Sequence, residues 1–591
     1  MKKIYLLIPI FICLIGNANS QTPDWLWANA FGEDTGYDIA TSLSIDKSGN
    51  VYATGIFNGT VDFDPGPGVF NLTSEGSSDI FISKSDSSGN LIWVKQMGGS
   101  NVNGEYAQSI AVDAVYNVYS TGYYYGTADF DPGAGTFNLS SPGIASAVYI
   151  SKLDGSGNFV WAKAIKGTLS ADGQVSNSIA IDTTGSGAIY TTGYFYGTAD
   201  FDPGAALLNI TSVSGSLDIF ISKLDTAGNL VWVKTTGGED NEFPFSMTLD
   251  PSVNGNFYLT GSFAGTADFD PGPGAFSITS AGWDDIFISK YDSSGNFIWA
   301  KAMGSTDLDE GYSIAVDPIS EAVYTTGWFS APADFDPGVG VYTLFSAGYE
   351  TFFISKLDSA GNFVWAKAMD GTTTITHSGQ SVAIDVSGNV YTSGWFRQTV
   401  DFDPDLGVFN LTSAGGLDIF ISKFDSSGNF IWAKAMGGTT DDYAYSMVLN
   451  ASGSVFLAGD FKSPSIDFGS TTLTNADNTG STPDMFIAKL DTALSTGIKS
   501  ITNDKGLSLY PNPASSHLTI ALEGNSKKVE ITITDFAGKI IYEDAVTGMQ
   551  KTIEVNTNNF TEGVYFVNIL RTESFGQTSD FNEVRKLIIV K

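Results

Sequence analysis

In "DIFISK" (Asp218 to Lys223), Ile219 and Ile221 fall on one side of an extended chain and Phe220 on the other. That period of two predicts a strand. A turn and a second extended stretch follow, in the pattern of "DIFISKLDTAGNLVWVK" (Asp218 to Lys234). In the matching turn "DSSGN" (Asp86 to Asn90), Gly89 supplies the positive φ a tight hairpin needs. A further pair of strands is predicted by "SIAVD…NVYSTG" (Ser109 to Gly122), with counterparts ending at Gly55, Gly193, Gly261, Gly327, Gly394 and Gly459. Between the two pairs stands "DFDP", beginning at Asp62, Asp129, Asp200, Asp268, Asp334 and Asp401, with a decayed "DFGS" at Asp467. The intervals are 67, 71, 68, 66, 67 and 66 residues, so each repeat holds four strands.

The outer-strand tryptophans number one fewer than the other signatures: Trp93, Trp161, Trp232, Trp299, Trp365 and Trp432. The missing one lies at the front, where "WLWANAFG" (Trp25 to Gly32) places Trp27 as "FIWAKAMG" places Trp299. The last repeat stops after "DMFIAKLDTALSTG" with no outer strand of its own. The pattern therefore predicts an all-β fold, a seven-bladed β-propeller over residues 21–494 closed by the N-terminal strand. Closure of this kind removes free sheet edges. The repeated tryptophans are read as packing anchors.

After a polar connector (495–506) the pattern changes. "LSLYPNPASSHLTIAL", "VEITITDFAGKIIYE", "TIEVNTNNFTEGVYFVNIL" and the terminal "KLIIVK" alternate as strands, which predicts a small antiparallel β-sandwich over 507–591.

Composition narrows the function classes. Residues 1–20 read as a secretory signal peptide, with Lys2-Lys3, an apolar run from Ile4 to Ile15, and Ala18-Asn19-Ser20 before Gln21. The single cysteine, Cys13, lies inside it, so disulfides, zinc-cysteine sites and cysteine nucleophiles are excluded from the mature chain. No transmembrane span is expected there. Residues 21–500 carry 18 basic and 53 acidic side chains, a surface that repels nucleic acid and favours cations or neutral ligands.

The repeats resemble the short β-propeller repeat of bacterial secreted proteins (the SBBP type) and are similar to NHL-type blades, with "D-x-x-G-N-V-Y" at an inter-strand turn. The tail resembles the type A C-terminal sorting domain of type IX secretion cargo. The residues that carry this are Tyr510-Pro511-Asn512-Pro513, "DFAGK" (Asp535 to Lys539, with Gly538), "GVYFV" from Gly563 through Tyr565, and "KLIIVK". The resemblance implies the type IX machinery as partner, export, and a secreted or outer-membrane-surface location.

Chemistry is sparser. A "DFDPG" explains itself as a turn, since Pro fixes the first corner, Gly takes the second, and Asp accepts backbone N–H groups. It lacks the spacing and closing acid of a calcium loop. In "DFDPDLG" alone, Asp401, Asp403 and Asp405 occupy positions one, three and five, the copy where Ca²⁺ is possible. The residue after the repeated glycine varies: Ile56, Tyr123, Tyr194, Ser262, Trp328, Trp395 and Asp460. Tyr123, Tyr194, Trp328 and Trp395, near carboxylates, would suit sugar stacking, though interior filling accounts for them too. Enzyme readings are weaker. The mature chain has two histidines, His377 and His517, and the repeats one arginine, Arg397, so a histidine metal site or a sialidase is not expected. Near-identical acids in every repeat look architectural. The expectation is a non-catalytic propeller binding glycan or protein on the DFDPG face. A carbohydrate-active enzyme and a purely structural surface protein are the alternatives.

Overall fold

The structure is a computed structural model. It describes residues 23–492 apart from 184, 253–254, 347–348, 372–375 and 478, and in the tail 507–510, 514–522, 528–535, 539–547, 552–561, 563–572 and 581–589. The signal segment and connector lie outside the described residues. The chain divides into two compact units, Thr22–Ala493 and a second that contains Leu494–Lys591.

Within the first unit the described residues form seven four-stranded antiparallel sheets, with the strands in chain order in all but the seventh. The first is Ile39–Ile45, Val51–Phe57, Asp79–Ser85 and Leu91–Met97. The seventh is Asp442–Leu449, Val455–Phe461 and Asp484–Asp491, with Asp24–Phe31 as its fourth strand. The N-terminal strand pairs antiparallel with Asp484–Asp491 over its length, from Asp24 opposite Asp491 to Phe31 opposite Met485. Its Trp25 meets Phe468 edge-on at 4.8 Å. The arrangement is a β-propeller-like repeat fold.

Three repeated devices join each sheet to the next. In every first strand the register slips by one residue, a β-bulge, just before a serine: Ser42, Ser109, Ser178, Ser246, Ser313, Ser381 and Ser446. At all of these but Ser246 the serine hydroxyl accepts a backbone N–H from the neighbouring first strand, as Ser42 does from Ile110 (3.3 Å) and Ser178 from Met247 (3.2 Å). The seventh sheet does the same to the first, with Leu43 N–H donating to Ser446 Oγ at 3.0 Å.

On the outer side, Trp27, Trp93, Trp161, Trp299 and Trp365 donate their indole N–H to a carbonyl in the next sheet's third-to-fourth-strand turn. The glycine of that turn, Gly89 beneath Trp27 and Gly157 beneath Trp93, leaves room for the ring. Lys489 of the seventh sheet also reaches Ser87 O in the first (3.0 Å).

The third device is the DFDP hairpin itself. It lies between the second and third strands, as the sequence predicts, and its first Asp pairs with the end of the previous sheet's outer strand. Gly98 bridges Asp129, Lys166 pairs with Asp200, Gly237 with Asp268, Gly304 with Asp334 and Asp370 with Asp401. The phenylalanine between the two acids is buried in every copy, against aromatic neighbours such as Phe57 and Phe81 for Phe63.

The repeated second-strand glycine has a steric cause. A Cβ on Gly55 would lie 1.9 Å from Ile39 O, and on Gly261 1.8 Å from Phe243 O, because the bulge presses the first strand's carbonyl against it. The residue two beyond each glycine, from Phe57 to Phe461, is fully buried as core.

In the tail a three-stranded sheet (Leu507–Tyr510, His517–Leu522, Thr552–Asn556) and a four-stranded sheet (Ile540–Thr547, Lys528–Asp535, Gly563–Thr572, Phe581–Ile589) enclose one core that includes Leu518, Ile531, Ile553 and Val567. Among the described residues no helix is long and apolar enough to cross a membrane.

Candidate functional site

The bulge that lifts each first strand also turns one side chain inward. The bulged residues are Thr41, Gln108, Asn177, Phe245, Tyr312, Gln380 and Tyr445, one per sheet, and all line a single cavity of about 740 Å³. Ile39, Ile56, Tyr106, Tyr194, Phe243 and Glu310 complete most of the wall. Among the described residues no lysine, arginine or histidine lines it. A pocket of this size with aromatic walls and few polar groups is the usual form of a small-ligand site.

The four aromatics singled out from sequence sit on the second strands, beside this wall. Tyr123 stacks on Tyr106 with ring centroids 4.7 Å apart and planes within 13°. Tyr194 meets Phe243 edge-on at 5.3 Å, and Trp395 meets Tyr443 at 6.0 Å. Trp328 is buried and donates its indole N–H to Tyr312 Oη at 3.1 Å. Tyr194 alone of the four is a lining residue; Tyr123 and Trp328 contact the lining residues Tyr106 and Tyr312. No DFDP residue is among the residues that line this cavity. The first-strand rings Tyr106, Phe243, Phe245, Tyr312 and Tyr445 went unnoticed in the sequence. For Phe245, Tyr312 and Tyr445 the signal was the residue just before the repeated serine, which varies from unit to unit as the second-strand position does; Tyr106 and Phe243 lie three residues before it.

Glu310 lines this wall, and Asp460 lies behind the lining residue Tyr445. Glu310, held above the ordinary carboxylate range by burial, is hydrogen-bonded to Tyr312. Asp460, fully buried with Tyr445 as hydrogen-bond partner, is pushed up to about 7, chiefly by burial and further by Asp442, while Tyr445 and Lys462 oppose the rise. Its folded value lies above the ordinary 3.8, so its contribution to stability is complete below about pH 4 and lost as pH rises through 7. Asp460→Asn should therefore stabilise the fold by about 2–4 kcal/mol near pH 8.5 and change little near pH 4, read from denaturant midpoints at both pH values. Equal effects at the two pH values would show that Asp460 does not titrate in this way.

The DFDP carboxylates are occupied within their own turns. Asp62 Oδ1 accepts from Asp64 N–H (3.0 Å) and Phe70 N–H (2.7 Å), and Asp64 Oδ1 from Gly66 N–H (2.8 Å). The sixth copy repeats this. Asp401 accepts from Asp403 (3.1 Å) and Phe409 (2.7 Å), Asp403 accepts from Asp405 (3.1 Å), and Asp405 pairs with Lys367 at 2.5 Å. Among the described residues no group of three His, Cys, Asp or Glu side chains is arranged to hold a metal.

In the tail, Asp535 closes its hairpin by accepting from Lys539 N–H at 3.0 Å, and Gly563 opens the strand that carries Tyr565. Tyr565 is buried against Phe560 and hydrogen-bonded to Thr561. Pro511, Asn512, Pro513 and Gly538 lie outside the described residues, and Tyr510 ends a strand.

Residues 508–589 match the family described as Secretion system C-terminal sorting domain. The molecule is thus an exported protein of propeller-like repeats, sent out through a C-terminal type IX sorting domain. The repeats are similar to an uncharacterized WD repeat-containing protein of Acanthamoeba polyphaga mimivirus, at 22% identity over 444 residues, 63% of this chain and 31% of that one. They are similar also to the regulatory protein FlaEY of Caulobacter vibrioides, at 24% identity over 249 residues, 41% of this chain and 25% of that one. The matches thus span less than a third of either relative. Among solved structures, Sqt1 from Chaetomium thermophilum superposes loosely, with a TM-score of 0.35, 10% identity, and coverage of 75% of this chain and 83% of that one. The extracellular domain of BT4673 from B. thetaiotaomicron gives a TM-score of 0.17 at 10% identity, covering 96% of this chain and all of that one.

Proposed function

We propose that the chain is a secreted or surface-displayed, non-catalytic binding protein whose seven sheets are blades of a closed propeller, with a glycan as ligand in the central cavity. One observation carries this reading: a cavity to which every sheet contributes a bulged side chain, of five kinds among the seven, while the surrounding scaffold repeats almost unchanged. Tyr106, Tyr194, Phe243 and Phe245 offer ring faces for sugar C–H groups, and Gln108, Asn177, Gln380 and Glu310 offer hydroxyl partners. The absence of a cationic side chain in the wall disfavours acidic sugars and leaves neutral ones.

The paired acids of the DFDP turns support a structural part, because their oxygens already accept backbone N–H groups. The test is binding of neutral polysaccharides to the full chain, with reducing ends assayed in the same samples. Tyr194→Ala should weaken binding at least ~10-fold, the loss of about 1.4 kcal/mol of contact, while Asp64→Ala should leave it unchanged. Reducing-end release abolished by Glu310→Gln would replace this reading with a carbohydrate-active enzyme. Binding that survives Tyr194→Ala but not Asp64→Ala would move the site to the DFDPG face.

A further inference from the structure

Where one sheet meets the next, two acids are buried together. The third strand of one sheet carries Asp79, Asp218, Asp285, Asp418 or Asp484, at its start or, for Asp285 and Asp418, within a longer strand, and the following first strand begins at or next to Glu105, Glu242, Asp309, Asp442 or Asp38. All ten are at most 3% exposed. At the Gly304 corner, Asp285 Oδ1 and Asp309 Oδ2 lie 2.6 and 2.9 Å from one point, and so no more than about 6 Å apart. Asp218 Oδ1 and Glu242 Oε2 do the same at Gly237 (2.8 and 2.9 Å).

Each junction keeps at least one carboxylate oxygen with no hydrogen-bond donor: Asp79 Oδ1 and both oxygens of Glu105, both oxygens of Glu242, Asp285 Oδ1, Asp418 Oδ1, and Asp484 Oδ1. Burial holds Glu105 and Glu242 above the ordinary carboxylate range, and the Gly99 and Gly238 N–H groups oppose the rise. Lys84, Lys290, Lys367 and Lys423 form ion pairs with other aspartates, none of them at a junction. Burying two carboxylates without a counter-charge costs several kcal/mol. Something neutralises them.

The remaining two junctions show that the pair acts as a unit. There the third-strand acid is replaced by Ala147 or Thr351, and the first-strand acid by Gln174 or His377. The glycine that caps the pair changes with them. Gly98, Gly237, Gly304, Gly437 and Gly32 each hold a Cβ position that the aspartate Cγ approaches to between 2.1 and 2.7 Å. At the two other junctions Lys166 and Asp370 stand in that place, in the same register against the DFDP aspartate. An acid that served only as a backbone staple could be lost singly. The pair and its glycine are lost together, and at the Ala147 junction the buried acid is instead Asp172, whose Oδ2 accepts the Leu169 N–H at 2.8 Å within its own turn.

We propose that each of these five junctions binds one oxygen-preferring divalent cation of calcium's kind between its two carboxylates, clamping neighbouring sheets. Backbone carbonyls and water would complete the shell such an ion takes. The proposal is independent of the glycan reading, because the junctions lie outside the cavity wall.

The experiment uses the full chain dialysed against chelator, then titrated with CaCl₂ at about pH 7.5 by equilibrium dialysis and thermal melting. Bound calcium should approach five per chain, and the melting temperature should rise by more than about 5 °C. The double variant Asp79→Ala, Glu105→Gln copies the residues Ala147 and Gln174 of the junction that lacks the pair, so it should fold and bind one ion fewer. Full stoichiometry in that variant would overturn the proposal. So would an absence of bound calcium with an unchanged melting temperature, which would leave a shared proton as the neutralising body.

Discussion

A chain lacking residues 22–32 should melt more than about 10 °C below the full chain, or fail to accumulate in soluble form. Deletion removes the whole antiparallel partner of Asp484–Asp491 and exposes that strand's edge. It also removes Trp25 from Phe468, the Trp27 hydrogen bond to Ser87, and Phe31 from the cluster that holds Phe63 and Met485. A synthetic peptide of residues 22–32 added in trans should restore much of the lost stability, because its strand carries its own register. Phe31→Ala alone should cost about 3–4 kcal/mol, in the range of buried aromatic truncations. An unchanged melting curve for the deletion would show that the N-terminal strand is not integral to the seventh sheet.

The second large effect concerns space. Gly261→Ala should destabilise by about 4 kcal/mol or more, since its new methyl would stand 1.8 Å from Phe243 O and 2.8 Å from the Phe287 ring. Backbone cannot yield there without flattening the bulge that presents Phe245 to the cavity. Gly215→Ala is the control. That glycine has φ +79° and nothing within 4 Å of a Cβ, so alanine should cost only about 1 kcal/mol of backbone strain. Similar costs for the two, measured by denaturant unfolding, would refute the steric account.

The strands, the repeat boundaries and the strand that begins outside its own repeat were legible because they rest on local alternation and on spacing. "DIFISK" must expose alternate residues to opposite faces whatever surrounds it. The DFDP turn was legible for the same reason, its aspartates serving N–H groups two and eight residues away. What it clasps was not. The pairing of Asp129 with Gly98 joins two repeats, and no local pattern states which backbone lies opposite.

The cavity was half legible. Variation at Tyr123, Tyr194, Trp328 and Trp395 marked a position free of the scaffold's demands, but the bulge that turns Phe245 and Tyr312 inward inserts an extra residue and breaks the period of two. The buried acids were hidden differently. Asp79 and Glu105 read as two more charges on an acidic chain, and only burial against each other distinguishes them.

The junction acids also separate what is copied from what is packed. Asp79 and Gly98 belong to one repeat and Glu105 to the next, so the piece that must match is split across the duplication boundary. A repeat moved intact to a new place would carry the wrong half of two seams. Set after the second repeat, the fourth would put Glu242 against Ala147 and Lys166, a buried acid facing neither its aspartate nor its glycine. Shuffling these sheets is therefore not modular, however alike they look, and a chimera would have to be cut through the middle of a sheet to keep its seams whole.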